Sequence, residues 1–237
     1  MMRHFLIATI CFLVVAALAS KPARSETVDD AGFWTALFAN GDFFEPGTRG
    51  ERWRWWFDGH ARFLDDAEGF NQSIVRPGIG YSLTDRATLW AGYGWIRTSP
   101  LTAGDFDEHR IWQQITWSQT CGDFTFALRP RLEQRFIETG SDTGWRFRQF
   151  LRAHRPLPNH PRLTFVLWDE VFFHLNDTDW GARAGFNQNR VFVGGGFKCD
   201  PDSPWRVEVG YLNQAIHIPA GDDRSNHILA VNFFFSP

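Results

Sequence analysis

Apolar and polar positions alternate along most of this chain, most clearly over residues 124–136. One parity of that stretch is mainly apolar and consists of Phe124, Phe126, Leu128, Pro130, Leu132, Gln134 and Phe136. The other parity carries charge and consists of Thr125, Ala127, Arg129, Arg131, Glu133 and Arg135. Because a strand places alternate side chains on opposite faces, the pattern predicts a strand with one apolar face and one charged face.

The same period of two recurs along the chain. It is visible in residues 52–63, 72–83, 88–97, 109–119, 145–154, 163–174, 187–197, 205–214 and 229–235. We count about ten strands of roughly 10–13 residues, which is close to the length that a tilted strand needs to cross a bilayer. Tight turns are predicted at Asp85, Gly122, residues 156–161 and residues 201–204, and longer loops lie between them. This alternation of short and long connections is typical of outer-membrane barrels.

The pattern therefore predicts an all-β fold, a transmembrane up-and-down antiparallel β-barrel formed by residues 51–237. We expect ten strands, with twelve as the alternative. Residues 26–50 are predicted to be an N-terminal segment in which residues 33–39 form a short strand or a plug piece. With ten strands and the tight turns in the periplasm, both ends of the barrel are expected in the periplasm.

The alternative architecture is a soluble periplasmic β-sandwich, a binding module with the apolar parity buried between two sheets. The ends of the predicted strands argue for the barrel. Apolar faces begin and end with aromatic residues, such as Trp53 and Phe63 on one strand and Phe124 and Phe136 on another. Aromatic girdles of this kind lie at both interfaces of a transmembrane barrel.

The first residues predict export. Arg3 and His4 precede an apolar run that ends near Leu18, and the small residues Ala17 and Ala19 provide a cleavage context. This arrangement is typical of a cleaved N-terminal signal helix, assigned to residues 1–25, and an uncleaved membrane anchor is the alternative. The remainder of the chain has no apolar run long enough for a helical span.

Composition removes several function classes. The chain has 237 residues with 12 Trp, 24 Phe and 3 Tyr, and its formal charge of −3 gives no reason to expect a nucleic-acid partner. The histidines are scattered and no Cys/His spacing indicates a metal, so neither a metal nor a cofactor is expected. Cys121 and Cys199 are expected at turns four strands apart, roughly 19 Å along the wall, which disfavours a disulfide but leaves it open.

The charged parities are predicted to line the lumen. Arginine forms planar forks with carboxylates, so the side chains are expected to bridge and fill a narrow barrel. Because arginines outnumber glutamates, the lumen is also expected to favour small anions as partners, in a structural or passive small-solute role. Glu108 and Arg206 belong to the same inward parities. The predicted lumen charge network is Arg76, Arg110, Arg129, Arg131, Glu133, Arg135, Arg146, Arg148, Arg152, Glu170, Arg190 and Glu208.

A hydrolase acting at the extracellular rim is the alternative function. Ser225 and His227 share one face of the last strand, and His217 begins the preceding loop, so a Ser–His pair across a hairpin is conceivable. Their spacing matches no catalytic motif, however, and no catalytic residue is assigned.

Several short motifs also occur in a distinctive order. They include Arg-Pro-Gly-Ile-Gly-Tyr at 76–81, Gly-Tyr-Gly at 92–94, Arg-Leu-Glu-Gln-Arg at 131–135 and Asn-Gln-Asn-Arg at 187–190, together with residues 108–114, 169–170 and 210–212. The set resembles the DUF2490 family of bacterial outer-membrane-type barrels from about residue 33 to the end. The resemblance implies a barrel and no established activity. Together with the strand pattern and the export signal, we expect this barrel in the outer membrane of a Gram-negative bacterium, with the lipid bilayer and the barrel assembly machinery as partners. In one departure, Phe235 is followed by Ser236 and Pro237, whereas such barrels usually end on an aromatic residue.

Overall fold

Eleven β-strands form one closed barrel in the residues that this computed structural model describes, 27–66, 68–100, 103–200 and 202–237. Residues 1–25, predicted as a signal peptide, lie outside the described residues. The strands are β1 (Thr27–Asp42), β2 (Trp53–Leu64), β3 (Gly69–Thr84), β4 (Ala87–Thr98), β5 (Phe106–Cys121), β6 (Phe124–Ile137), β7 (Gly144–Leu157), β8 (His160–His174), β9 (Gly185–Phe197), β10 (Trp205–Ile216) and β11 (Asp223–Phe235). Among the described residues, no helix has the length and hydropathy of a membrane span.

The barrel closes through one parallel pair. Consecutive strands from β1 to β11 pair antiparallel, and β1 then pairs with β11 in parallel, from Thr27 opposite Asp223 to Ala39 opposite Phe235. An odd number of strands requires such a pair, because strict alternation of direction closes only with an even number. The predicted count of ten strands, and the alternative of twelve, are therefore wrong.

The additional strand is β1, which contains residues 33–39. These residues belong to the barrel wall, so the prediction of a separate short strand or plug piece is corrected. Trp34 and Ala36 are buried on the inner face, while Phe33 and Leu37 have the opposite parity. Since both faces are apolar, the strand shows no alternation of polarity. Its inner face packs in an apolar cluster whose members are Trp34, Val166, Phe192, Leu212, Ile228 and Ala230.

Because the number of strands is odd, the start of β1 and the end of β11 lie at opposite ends of the barrel. The start of β1 lies at the end of the barrel that carries the β2–β3, β4–β5, β6–β7, β8–β9 and β10–β11 connections. Residues 138–143 connect β6 to β7, residues 175–184 connect β8 to β9, and residues 217–222 connect β10 to β11. We refer to this end of the barrel as the long-loop end. The end of β11 lies at the opposite, tight-turn end, so the prediction that both barrel ends lie on one side is wrong.

Two of the two-residue turns at the tight-turn end contain a residue with a positive φ angle. Gly122 has φ 60° in the β5–β6 turn and Asn159 has φ 63° in the β7–β8 turn. Glycine and asparagine adopt this left-handed conformation most readily, and it matches the twist of the flanking strands. The β3–β4 connection is equally short.

The outer surface is apolar and the inner surface is charged. Ile79, Ile111 and Leu229 are 48%, 48% and 54% exposed, whereas Glu133 and Glu208 are fully buried inside. A soluble sandwich would place the apolar parity between two sheets. Here a single closed sheet turns that parity outward, which excludes the sandwich alternative.

Candidate functional site in the barrel lumen

The predicted charge network lies on the inner faces of β3 and of β5 to β10. Towards the long-loop end, the Glu108 carboxylate accepts hydrogen bonds from Arg110, at 2.7 Å from both Nε and Nη2, and from Arg135 Nε at 2.6 Å. Glu108 is 2% exposed. Both arginines thus form the planar contacts with carboxylate that their geometry favours.

Glu133 and Glu170 form the middle of the network. Glu133 accepts from Arg146 Nε and Nη2 at 2.9 and 2.5 Å and from Arg148 Nη1 at 2.6 Å. Arg148 also donates to Glu170 at 2.8 Å, and Arg129 Nη2 donates to the same oxygen at 3.3 Å. One guanidinium, that of Arg148, therefore links two carboxylates on different strands.

Glu208 holds the network together across the barrel at the tight-turn side. Arg152 donates to its two oxygens at 2.9 and 2.6 Å, although β7 and β10 are not neighbouring strands. Arg206 donates to Glu208 Oε1 at 2.8 Å. The Arg152 contact is therefore a bridge across the lumen, as expected for a narrow barrel.

A second acidic centre was not included in the predicted network. Asp58 on β2 is fully buried and accepts from Arg76 Nε at 2.7 Å and from Trp56 Nε1 at 2.6 Å. His60 Nε2 lies 2.7 Å from the same carboxylate. The alternation along β2 could have identified these residues as facing the lumen, because Trp56, Asp58 and His60 share the polar parity of that stretch with Arg62.

Two buried arginines have no carboxylate partner in the described structure. Arg62 donates from Nη1 to Gln72 Oε1 at 2.9 Å, and Arg190 donates from Nη2 to Gln188 Oε1 at 3.4 Å. Their exposed fractions are 9% and 8%, and the Nε–H of each has no acceptor. Both guanidiniums lie against the indole of Trp34, with Cζ 4.1 and 4.9 Å from the ring centroid.

Arg131 differs both from the arginines that pair closely with carboxylates and from Arg62 and Arg190. Its Nε and Nη2 donate to Gln114 Oε1 at 2.8 and 2.6 Å, and its nearest carboxylate contact, to Glu133, is 3.7 Å. Its Cζ lies 4.6 Å from the centroid of Trp112, which is completely buried. Gly78 and Gly92 make room for that indole, since a Cβ at either position would collide with it.

Two cavities in the described barrel interior are separated from each other by arginine side chains. The larger, of about 1130 Å³, reaches residues of the long-loop end such as Asp65 and Asp222, and we call it the vestibule. The smaller, of about 250 Å³, lies towards the tight-turn end, where it is lined by Arg206 and Phe234. The side chains that line both cavities, and so lie between them, are Trp34, Arg62, Arg76, Arg148 and Arg190.

Positive charge exceeds negative charge among the buried side chains. The buried carboxylates are Asp58, Glu108, Glu133, Glu170 and Glu208. The buried arginines are Arg62, Arg76, Arg110, Arg131, Arg146, Arg148, Arg152 and Arg190. A buried charge without a counter-charge is costly, and this surplus leaves part of the buried positive charge in the described residues without a buried carboxylate to match it.

The residues considered for hydrolysis do not form a nucleophile–base pair. The Ser225 hydroxyl accepts from Asn213 Nδ2 at 3.0 Å, while His227 Nδ1 lies 2.6 Å from the Tyr211 hydroxyl. His217 Nδ1 lies 3.0 Å from Asp223 Oδ1.

No group of three metal-ligating side chains converges within the described residues. Cys121 and Cys199 are free and exposed near the tight-turn end.

Two loops are joined at the long-loop end. Asp179, in the β8–β9 connection, accepts from the Ser141 backbone N–H at 2.8 Å and from its hydroxyl at 2.7 Å. The Asp142 backbone N–H adds a third donor at 3.2 Å. These donors favour the ionised carboxylate and lower the pKa of Asp179 below its ordinary value.

Comparison with known proteins places this barrel in a family. The sequence profile described as "Protein of unknown function (DUF2490)" matches residues 31–226. The chain belongs to the DUF2490 family. An uncharacterised protein of Methylorubrum extorquens strain AM1 is 34% identical over 243 residues, with 99% of each chain covered. Among solved structures, LpxR from Salmonella typhimurium superposes on this DUF2490 barrel with a TM-score of 0.41 and 8% identity, covering 73% of this chain and 80% of that one.

Proposed function

We propose that this DUF2490 protein is an outer-membrane barrel of a Gram-negative bacterium whose lumen serves a passive, anion-favouring role for small solutes. The observation that carries the proposal is the surplus of buried arginine over buried carboxylate inside a barrel with an apolar outer surface. The enclosed guanidiniums attract anions and repel cations, since charge in a narrow, partly desolvated lumen is screened weakly.

The outer surface supports contact with lipid. Trp53 and Trp205 lie at the tight-turn end of their strands, and Phe63 and Trp145 lie at the long-loop end of theirs. Large aliphatic side chains are exposed between these two levels. Aromatic rings at two levels with an aliphatic band between them suit the two interfaces of a bilayer. Insertion by the barrel assembly machinery is part of this proposal.

The orientation follows from the connections. Outer-membrane barrels place short turns in the periplasm and longer loops outside the cell. On that basis the tight-turn end faces the periplasm and the vestibule opens to the exterior. Solutes would enter the vestibule first and then meet the arginine side chains that separate it from the smaller cavity. The salt-bridged network would therefore restrict passage to small solutes.

A reversal-potential measurement in planar bilayers tests the lumen role. Under a KCl gradient, we expect small conductance events with anion selectivity. Arg129→Gln removes a lumen charge and is expected to reduce that selectivity. Arg155→Gln removes the same charge from the outward parity of β7, beside Phe124, and is the matched control. A silent or cation-selective wild-type barrel would refute the anion-favouring role.

Fractionation tests the membrane assignment independently. The protein should be recovered with the outer membrane and run as a heat-modifiable band on a gel, with a β-rich circular dichroism spectrum in detergent. Recovery of folded protein in the soluble periplasmic fraction would refute the location.

A further inference from the structure

Two arginines on the floor of the vestibule form no ion pair with a carboxylate among the described residues, although Glu170 lies near enough to Arg190 to offset part of its charge. Arg62 lies on β2 and Arg190 on β9, so the pair is assembled only by closure of the barrel. Both line the vestibule, both are at least nine-tenths buried, and both leave Nε–H without an acceptor. A buried cation without an ion pair is unfavourable, and an anion that entered the vestibule would reduce that cost.

The partners that hold these arginines fix their position without cancelling their charge. Each guanidinium donates to a neutral amide oxygen, Gln72 Oε1 for Arg62 and Gln188 Oε1 for Arg190. Gln72 is in turn fixed by donating to Thr98 Oγ1 at 2.9 Å. An amide oxygen carries no charge, so these hydrogen bonds position the guanidiniums without an ion pair, which lowers the cost of ordering on binding.

The Gln188 side chain that accepts from Arg190 is itself held by amide side chains of the neighbouring strands. Gln214 donates to Gln188 Oε1, and Asn226 donates to Gln214 Oε1 at 3.1 Å, so amides from β9, β10 and β11 form a hydrogen-bonded row. All three line the vestibule. The wall beside the cation pair is thus polar and neutral, and it contributes no competing carboxylate.

Trp34 gives the pair a shared platform. Both guanidiniums lie within 5 Å of its ring, which is 7% exposed, and its Nε1–H has no acceptor. An aromatic face attracts a guanidinium, so Trp34 helps to hold both cations, and Phe172, with its ring centroid 4.7 Å from Arg190 Cζ, also helps to hold Arg190.

From this geometry we propose that Arg62, Arg190 and Trp34 form a binding site for the phosphate group of a small soluble phosphate compound. A phosphate presents several oxygens in different directions, so it can accept from two guanidiniums at once, which a single carboxylate does less well. The vestibule, at about 1130 Å³, is large enough for the organic part of a phosphate monoester as well. The site deepens the proposed anion-favouring function, because it relies on anions entering from the long-loop end.

Isothermal titration of the full, folded barrel in detergent with inorganic phosphate tests the site. Chloride at equal ionic strength is the reference for non-specific charge effects. We expect saturable phosphate binding that weakens about tenfold or more in Arg62→Gln and in Arg190→Gln, since each loses charge-assisted hydrogen bonds. The matched control is Arg54→Gln, an arginine of β2 that lines a different cavity at the tight-turn end and pairs with Asp42. Its phosphate affinity should change less than twofold.

Folding of each variant is checked by its heat-modifiable band. Neither arginine forms an ion pair among the described residues, so both substitutions are expected to leave a folded barrel. Trp34→Phe provides a second readout. Phosphate should change the tryptophan fluorescence of the wild type, and that change should be largely lost in the variant, because the indole contacts both cations.

The outcomes separate this site from the proposed function. Phosphate binding with the expected variant pattern supports the site, even if the barrel is silent in bilayers. An anion-selective barrel without saturable phosphate binding overturns the site and leaves the proposed function standing. Equal weakening in Arg54→Gln and Arg190→Gln would also overturn the site, because it would show general attraction by lumen charge.

Discussion

Removal of the Glu133 charge is the most direct perturbation of the lumen network. Glu133 is completely buried and accepts three strong hydrogen bonds, two from Arg146 and one from Arg148. In Glu133→Gln the side chain keeps nearly the same shape. An amide, however, carries no charge and offers one oxygen, so the NH2 group must face guanidinium donors.

The expected loss of stability depends on which carboxylate partners Arg146 and Arg148 keep in the variant. Arg148 keeps its contact with Glu170 at 2.8 Å, whereas Arg146 has Glu133 as its one carboxylate partner among the described ion pairs. Removing one partner of a buried pair leaves an uncompensated charge and typically costs about 3–5 kcal/mol. We therefore expect Glu133→Gln to lower the free energy of unfolding by about 3–5 kcal/mol.

Urea unfolding in detergent micelles, followed by tryptophan fluorescence, measures this change. Glu45→Gln, at an exposed position between β1 and β2, is the matched control and should change stability by less than about 0.5 kcal/mol. The double variant Glu133→Gln with Arg146→Gln should recover part of the loss, with a coupling energy of about 1–3 kcal/mol. If Glu133→Gln costs no more than Glu45→Gln, the reasoning about the network is wrong.

Three further predictions concern packing, pH and orientation. Gly92→Val should strongly destabilise the barrel in the same unfolding assay, because its side chain would occupy the space of the buried Trp112 indole, while Gly195→Ala, where a Cβ meets ordinary contact, should be tolerated. Because the pKa of Asp179 is lowered in the folded protein, its contribution is complete above the unfolded Asp pKa of about 3.9 and is lost as pH falls through the lowered value. Protease cleavage in residues 138–143 should rise over that acidic range, and Asp179→Asn should raise it already at neutral pH. Both cysteines should react with a membrane-impermeant maleimide only after the outer membrane is permeabilised, and labelling of intact cells would contradict the orientation.

The alternation of residue types was sufficient to identify the wall strands with a charged inner face. In β6, for example, Arg129, Arg131, Glu133 and Arg135 share one parity, and a pleated strand must send that parity to one side. The outward position of Phe124 and Phe136 follows from the same rule. Such information is local, because it depends on the backbone geometry of a single strand.

β1 shows where local information was insufficient. Its inner face meets the apolar cluster around Phe192 and Leu212, and its outer face is apolar as well, so no alternation marks it as a wall strand. Its parallel pairing with β11 joins residues nearly two hundred positions apart, which no periodicity can reveal. The strand count and the positions of the barrel ends were therefore decided by tertiary structure.

The same division applies to the lumen. The sequence alone determined that Arg190 and the glutamates belong to inward parities, because parity is a property of each strand by itself. Only the closed barrel decided that Arg152 reaches Glu208 across the lumen, whereas Arg62 and Arg190 both lie against Trp34 and donate to amide oxygens. Side chains from distant strands acquire their neighbours through register and closure, and these depend on all the strands together.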